Sequence, residues 1–406
     1  MLARTFEFIN VRDWCRAAAD ANDLLGNPRT WFQLFPPVTV RLARPNWHLP
    51  GTDQNFILST VSSNLGFAPG DAIDKEISVS GSVIANIGQA TVKDTSLLVL
   101  VRDNLAITEG YGDARWAEYQ LRTWPHFHNF PGAIVGADQP QQWMMRVKVY
   151  TLEPRDVMSL DRPCLYLSVR PNDRNIYHWV FETLPRLKCL QLIPQLRNLP
   201  LLVREPVSKL QSAFLKWMGI NQEFIVTGGR SVRANSLFFA SIPAPPPIHP
   251  ELACWLRETV ARDVELPRRE FRRKLFISRR DSSAGRYVTN EDELAQKLAE
   301  IGFERLVMSE LSPAEQIAAF RQAELIVLPH GAAGAFLPFC PPDCKLIELQ
   351  TPKQINGVFY AHWKMQGRRY GYIVGQSRAT NLDYWVDPTN VFDLISVAAR
   401  DGPDTI

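Results

Sequence analysis

Between residues 274 and 350, apolar runs of strand length alternate with helix-length segments, and this alternation constrains the fold more than any other feature. "KLFIS", "LIVL" and "KLIEL" read as buried strands. Between them lie two segments with helix signals. Asn290 followed by Glu293 has capping-box spacing, and Gly302 is placed for a left-handed C-terminal cap. In "LSPAEQIAAFRQA", Ser312 is the expected N-cap, Pro313 the first helical residue and Glu315 the third. Strands separated by helices at this spacing pair in parallel, because a parallel neighbour is reached only through a crossover. The stretch therefore predicts a parallel sheet with crossover helices.

A similar but shorter pattern runs from 161 to 250. "CLYLSV", "PLLV", "EFIVTGG" and "SLFFAS" read as strands, and a helix carries Leu210, Phe214, Trp217 and Met218. "IPAPPPIHP" is too rich in proline for a core element, since each ring removes a backbone donor, and it reads as a stiff connector. Two Rossmann-like domains facing a cleft are expected, at 161–250 and 251–406. The first 160 residues carry short β-rich patterns such as "EISVSGSVIANI", broken by Gly, Asn and Asp. They are expected to form a mixed α/β region, and no chemistry follows from them.

Of the 406 residues, 46% are apolar and 21% charged, which fits a globular chain, and the net charge of +3 does not advertise nucleic acid across the whole surface. Six scattered cysteines do not suggest a disulfide framework, so a reducing compartment is the simpler reading. The N-terminus lacks the pattern of a signal peptide. No apolar run approaches the ~18 residues of a membrane span. A cytoplasmic protein is expected.

Three clusters could carry chemistry. In "NIYHWVFETLPRL", at residues 175–187, Asn175, His178 and Glu182 fall within an arc of roughly 60° at helical spacing. Val180, Leu184 and Leu187 point the other way, and Arg186 continues the polar face beyond Pro185. A solvated helix face explains this pattern. So does a site, because the segment follows a strand and should begin at the carboxyl edge of a parallel sheet. A His one turn from a Glu can form an acid–base pair.

The second cluster, "LIVLPHGAAGAF", ends a strand at His330 and opens a helix with Gly331, Ala332 and Ala333. Small residues there let an anion approach backbone N–H groups; equally, they permit close packing. In the third, "KLFISRRDSSAGR", Arg279 and Arg280 follow a strand and Arg286 lies in the next loop, an arrangement suited to a diphosphate. Glu348, near the end of "KLIELQTP", could accept from a ribose diol. The basic run "RREFRRK" reads either as a solvated linker or as a contact with an anionic membrane surface. His126 and His128 lack a third partner for a metal, and Cys340 and Cys344 look incidental.

Taken in order, "NIYHWVFETLPRL", "LFISRRDSSAGRYVTNEDEL", "GFERLVMSELSPAEQIAAFRQAELIVLPHGAA" and "LIELQTP" resemble glycosyltransferase family 61. The pattern is that of a bacterial, capsule-type member, with Glu182 where plant and animal members often carry Asp. The resemblance spans roughly residues 160–352. It implies a GT-B-like, inverting transferase that uses a nucleotide-diphosphate sugar, with UDP-sugars first in line, and needs no metal or other cofactor. It implies that Arg279, His330 and Gly331–Ala333 hold the donor diphosphate and that Glu348 faces the nucleoside. Asn175, His178 and Glu182 would then serve a glycan or glycoconjugate acceptor in surface polysaccharide biosynthesis. Inversion needs one base; His178 oriented by Glu182 is the preferred assignment, and the reverse stays open. After the His-Gly-Ala core this chain continues "AGAFLPF", where the family usually has a polar residue. That departure motivates an alternative, a non-catalytic binding or scaffold protein. A basic membrane or nucleic-acid binder would rest on residues 268–280 alone.

Overall fold

A computed structural model describes residues 2–48, 73–93, 98–103, 105–107, 144–151, 157–168, 175–228, 230–242, 248–260, 262, 264–265, 267, 269–283, 285–377 and 381–401. It is a mixed α/β structure whose contacts divide the chain into two compact units. One comprises Met1–Pro37 with Ser80–Pro245, and the other Val38–Val79 with Pro246–Ile406. All six cysteines are free. Among the described residues, no helix is long and apolar enough to cross a membrane.

The second unit holds the parallel sheet that the alternation predicts. Its five strands lie in the order Phe303–Leu306, Lys274–Ile277, Leu325–Pro329, Lys345–Gln350, Tyr370–Val374, and every pairing is parallel. In chain order this is 2-1-3-4-5, a doubly wound arrangement whose direction of winding reverses between the first and third strands. Both faces are buried, as a parallel sheet requires. Phe276, Val327, Ile347, Leu349 and Ile373 share one core with Leu294 and Leu298 of the helix Glu291–Glu300, and with Val391, Leu394 and Ile395 of the helix Pro388–Arg400. The alternate residues Leu275, Ile326, Leu328 and Leu346 are buried as well.

Local signals at the helix ends are met unevenly. Ser312 Oγ accepts from the Glu315 N–H at 3.3 Å, the Glu315 side chain accepts from the Ser312 N–H at 2.8 Å, and Pro313 opens the helix. Gly302 adopts φ +89°, the left-handed conformation expected of it. Asn290 does not cap. Its side chain instead pairs with the backbone of Val386 in both directions, and Glu293 forms an ion pair with Lys297. A long-range backbone partner has here displaced the local one.

Residues 42–47 lie along Tyr370–Val374, the strand at the sheet's edge. The Asn46 N–H donates to the Tyr370 carbonyl at 2.7 Å, and its side-chain oxygen accepts from the Tyr370 N–H at 3.1 Å and from Lys364 Nζ at 2.7 Å. Trp47 bridges to Gly371, where any Cβ would fall 3.1 Å from the Trp47 side chain, and its indole N–H reaches Asp401 at 2.9 Å. Backbone groups that an edge strand would otherwise expose are thereby satisfied.

The first unit contains two seven-stranded sheets. In one, Phe224–Val226, Leu201–Val203, Cys164–Tyr166 and Leu237–Ala240 are parallel neighbours, a 3-2-1-4 order in chain sequence. Ser82–Asn86 extends it antiparallel to Leu237–Ala240, followed by Thr30–Phe35 and Arg16–Ala17. In the other sheet, Ala90–Lys93 pairs with Ser231–Ala234. Alternate residues of both sheets share a single core: Val83, Ala85, Cys164, Tyr166, Leu237 and Phe239 from one, and Ala90, Val92, Val99, Val232 and Ala234 from the other.

The division expected at residue 160 therefore differs from the contacts observed. Strands from the first hundred residues complete sheets begun after residue 157, so residues 1–160 do not form a region of their own. "EISVSGSVIANI" is likewise divided, with Glu76–Val79 in one unit and Ser82–Asn86 in the other. The boundary at Pro245–Pro246 falls inside the proline-rich stretch. We expect Ser312→Ala to cost about 1 kcal/mol, since it removes a cap whose oxygen satisfies a helix N–H. Chemical denaturation should show a lower midpoint; an unchanged midpoint would reject the capping role.

Candidate functional site

In the second unit, the chain leaves the first strand through Ser278 and Arg279 and the third through His330 and Gly331. These are the carboxyl ends of the two strands that flank the reversal of winding, the place where open α/β sheets bind ligands. Glu291 sets the first of these exits. Its buried carboxylate accepts from Ser278 Oγ at 2.6 Å and from the Arg279 N–H at 3.1 Å. Arg280 points its charge elsewhere, pairing with Asp292 and Glu291, and Arg305 pairs with the same two acids. Only Arg279 of the two consecutive arginines stays with the second exit.

Arg279 is buried, and its Nε donates to the Gly285 carbonyl at 2.9 Å. Its guanidinium lies directly on Gly331, where a Cβ would sit 1.7 Å from Nη1. Glycine is required at 331 by this approach and not by backbone conformation, since its φ of 174° is ordinary extended geometry. Arg286 stands nearby with φ +62°, an uncommon conformation for a side chain of its size. Neither arginine makes an ion pair with a carboxylate among the described residues. Burial pushes the Arg279 guanidinium down to about 10, and the positive charge of Arg286 adds to that push. Burial also lowers Arg286. Two partly desolvated cations that repel one another, offset by the charges of Asp281 and Glu348 but in ion pairs with neither, make a place for an anion.

His330 is pinned beside them. Its Nδ1 lies 2.6 Å from Glu348 Oε1, and the other carboxylate oxygen accepts from Tyr370 Oη at 2.5 Å. Glu348 is 0% exposed, so its expected contact with a nucleoside is not direct; both its oxygens face protein donors. The helix after Gly331 is 3-10 over Ala332–Phe339, with Ala332 and Ala333 half-exposed. Close packing accounts for Gly334, where a Cβ would fall 2.1 Å from the Phe359 ring. Close approach thus explains both glycines, a guanidinium at Gly331 and an aromatic ring at Gly334.

In the first unit, the His178 segment follows the strand Cys164–Tyr166, which neighbours Leu237–Ala240 at that sheet's own reversal. It is not one regular helix. A single α-turn, Ile176–His178, gives way to a π-turn over Trp179–Thr183 and then to a 3-10 turn over Leu184–Leu187. Pro185 has no N–H to continue the α pattern, so the ladder shifts to Leu184 N–H on the Trp179 carbonyl. Asn175 is the N-cap, accepting from the Tyr177 N–H at 3.0 Å, which gives it a structural duty.

The polar residues of this segment are not a wet face. Glu182 and Arg186 are buried, and Arg186 Nη1 donates to the Leu167 carbonyl at 3.1 Å. His178 Nδ1 lies 3.0 Å from Glu182 Oε1, with the His side chain 20% exposed and the Glu 3%. A buried acid thus orients a ring that keeps access to solvent. Leu167, Trp179, Thr183, Val203 and Gln211 line a small, partly open pocket.

Tyr370 and Glu291 escape sequence reasoning: Tyr370 lies in none of the quoted motifs, Glu291 lies in one without standing out, and each acts through a partner brought close only by the fold. Within the basic run, Arg269 pairs with Glu304 and Arg273 with Glu324. His126 and His128 lie outside the described residues, among which no three His, Cys, Asp or Glu side chains cluster as metal ligands. Gly331→Ala should displace the Arg279 guanidinium, the far end of a flexible side chain, without unfolding the unit. Calorimetric titration with inorganic pyrophosphate should then show affinity reduced at least about tenfold, the scale of one lost charge-assisted hydrogen bond. Unchanged affinity would remove Arg279 from the anion site.

The family model described as Glycosyltransferase 61 matches residues 176–347. No curated protein matches the chain at a significant level. The matched span opens in the His178 segment and runs through Arg279, Arg286 and His330 to the residue before Glu348. It supports glycosyltransferase family 61, and with it a glycosyltransferase activity.

Proposed function

We propose that this protein is an inverting glycosyltransferase. It takes a sugar from a nucleoside-diphosphate sugar, a UDP-sugar being the first candidate, and passes it to a hydroxyl of a glycan or glycoconjugate in surface polysaccharide biosynthesis. The observation that carries the reading is the pair of partly desolvated guanidiniums, Arg279 and Arg286, which form no ion pair among the described residues and stand at a sheet reversal inside the Glycosyltransferase 61 span. A diphosphate is the anion that such a pair suits: extended, doubly charged or more, and able to accept from planar forks. None of these observations favours a non-catalytic scaffold.

In this reading a GT-B-like division of labour holds, with the second unit binding the donor and the first serving the acceptor. His178 keeps its proton on Nδ1, directed at Glu182, and offers the Nε2 lone pair to the acceptor hydroxyl. As the proton of that hydroxyl moves to Nε2, the oxygen forms a bond to the anomeric carbon from the face opposite the nucleotide. The bond from that carbon to the diphosphate oxygen breaks, and its electron pair leaves with the diphosphate. Glu182 stabilises the resulting imidazolium, while Arg279, Arg286 and His330 meet the charge that develops on the leaving group. Guanidiniums supply here the neutralisation that a divalent metal supplies in other transferases. The burial of Glu182 and the openness of His178 favour His as base and Glu as its orienter.

A panel of nucleoside-diphosphate sugars should give at least one that raises the melting temperature and is slowly hydrolysed. A folded protein indifferent to all of them would overturn the reading. With an active donor in hand, His178→Ala should lower transfer by about 10²–10⁴-fold, the usual contribution of a general base, with donor affinity retained. Glu182→Gln should lower it less, because the ring can still be held in place. Full activity in both variants would reject the base assignment.

A further inference from the structure

Glu348 and Tyr370 lie outside the span matched by the family model, and the roles of both remain to be assigned. A carboxylate with no exposure is costly unless each oxygen is satisfied. Glu348 meets that condition with two short bonds on different elements, 2.6 Å to His330 Nδ1 and 2.5 Å to Tyr370 Oη. An ionised carboxylate only accepts, so the partner nitrogen must carry a proton. The Glu348 charge also acts favourably on the Arg286 guanidinium. Burial and the adjoining carboxylate hold the Tyr370 phenol well above its ordinary range, so it stays a donor. Tyr370 is itself fixed, with its backbone N–H and carbonyl both bonded to Asn46. The ring of His330 packs against Phe359, with centroids 5.2 Å apart. His330 Nε2 makes no hydrogen bond among the described residues.

We propose that Glu348 and Tyr370 are positioning residues which lock His330 with a proton on Nδ1, so that Nε2 faces the bound anion and becomes a donor to it when the ring takes up a second proton. Glu348 thus acts on the donor through His330. Tyr370 fixes the second oxygen so that the carboxylate cannot rotate away from the ring. When the ring is protonated, Nε2–H donates to a phosphate oxygen, and Glu348 offsets part of the positive charge that Arg279, Arg286 and His330 bring together. The lock is independent of which ligand binds. That Nε2 addresses a diphosphate rests on the function proposed above.

The test pairs Glu348→Gln and Tyr370→Phe, both close in shape to the native residues, with two readouts on the full chain. The first is the 15N spectrum of ring-labelled histidine, with the His330 signal identified by its loss in His330→Gln. The second is calorimetric binding of inorganic pyrophosphate. In the native protein the neutral ring should carry its proton on Nδ1. In Glu348→Gln the signal should move toward a mixture of tautomers and pyrophosphate should bind about tenfold more weakly, with Tyr370→Phe shifting both in the same direction by less. A His330 signal that is the same in all three proteins overturns the proposal, even if affinity falls, because lost packing would weaken binding without touching the tautomer. A tautomer shift without any pyrophosphate binding by the native protein upholds the lock and counts against the donor-site reading instead.

Discussion

The candidate site of the second unit depends on one contact, the Arg279 guanidinium resting on the Cα of Gly331. It joins the ends of two strands that are far apart in sequence and adjacent in the sheet, on either side of the point where winding reverses. Holding a guanidinium there is unfavourable twice over, through burial and through the like charge of Arg286. The surroundings answer the first cost and leave the second. Glu291 fixes the backbone of Arg279, the Gly285 carbonyl takes its Nε, and neighbouring acids are used up on Arg280 and Arg305. The excess positive charge at the sheet edge is the property that a diphosphate would relieve.

Each unit carries a His–Glu pair, and the two differ in how far the ring is open to solvent. In the first unit, Glu182 is buried while His178 stays one-fifth exposed. In the second unit, Tyr370 donates to Glu348 beside His330, and His330 is almost wholly enclosed. A buried carboxylate holds Nδ1 in both, and burial of the ring alone sets the two pairs apart.

Features written in local sequence were legible. Ser312, Pro313 and Glu315 cap their helix as their spacing dictates, Gly302 turns left-handed, and the apolar runs become parallel strands. Of the candidate residues, Arg279, Gly331 and His330 are brought together, as are His178 and Glu182. Sequence spacing failed where a distant partner decides. Asn290 gave up its cap for Val386, and Pro185 forced a π-turn that a uniform 100° per residue does not anticipate. The burial of Glu348 follows from strand pairing with Leu325–Pro329 and Tyr370–Val374, which no single segment reveals.

The least legible stretch was the first 160 residues, and the reason is topological. The chain passes from one unit to the other near residue 37 and back near residue 79. Between those points, Asn46 grips the backbone of Tyr370, whose hydroxyl grips Glu348, whose carboxylate grips His330. A segment without chemistry of its own thereby holds the end of a chain of hydrogen bonds that reaches the candidate site. Ser82–Asn86, on the returning stretch, completes the sheet that precedes His178. The span 176–347 therefore carries most of the candidate site residues but is not a folding unit. Cut out alone, it would lose the strands Cys164–Tyr166 and Tyr370–Val374 and leave their neighbours unpaired. A family signature can mark where the chemistry lies, while the constraints that position it come from residues on both sides of that span.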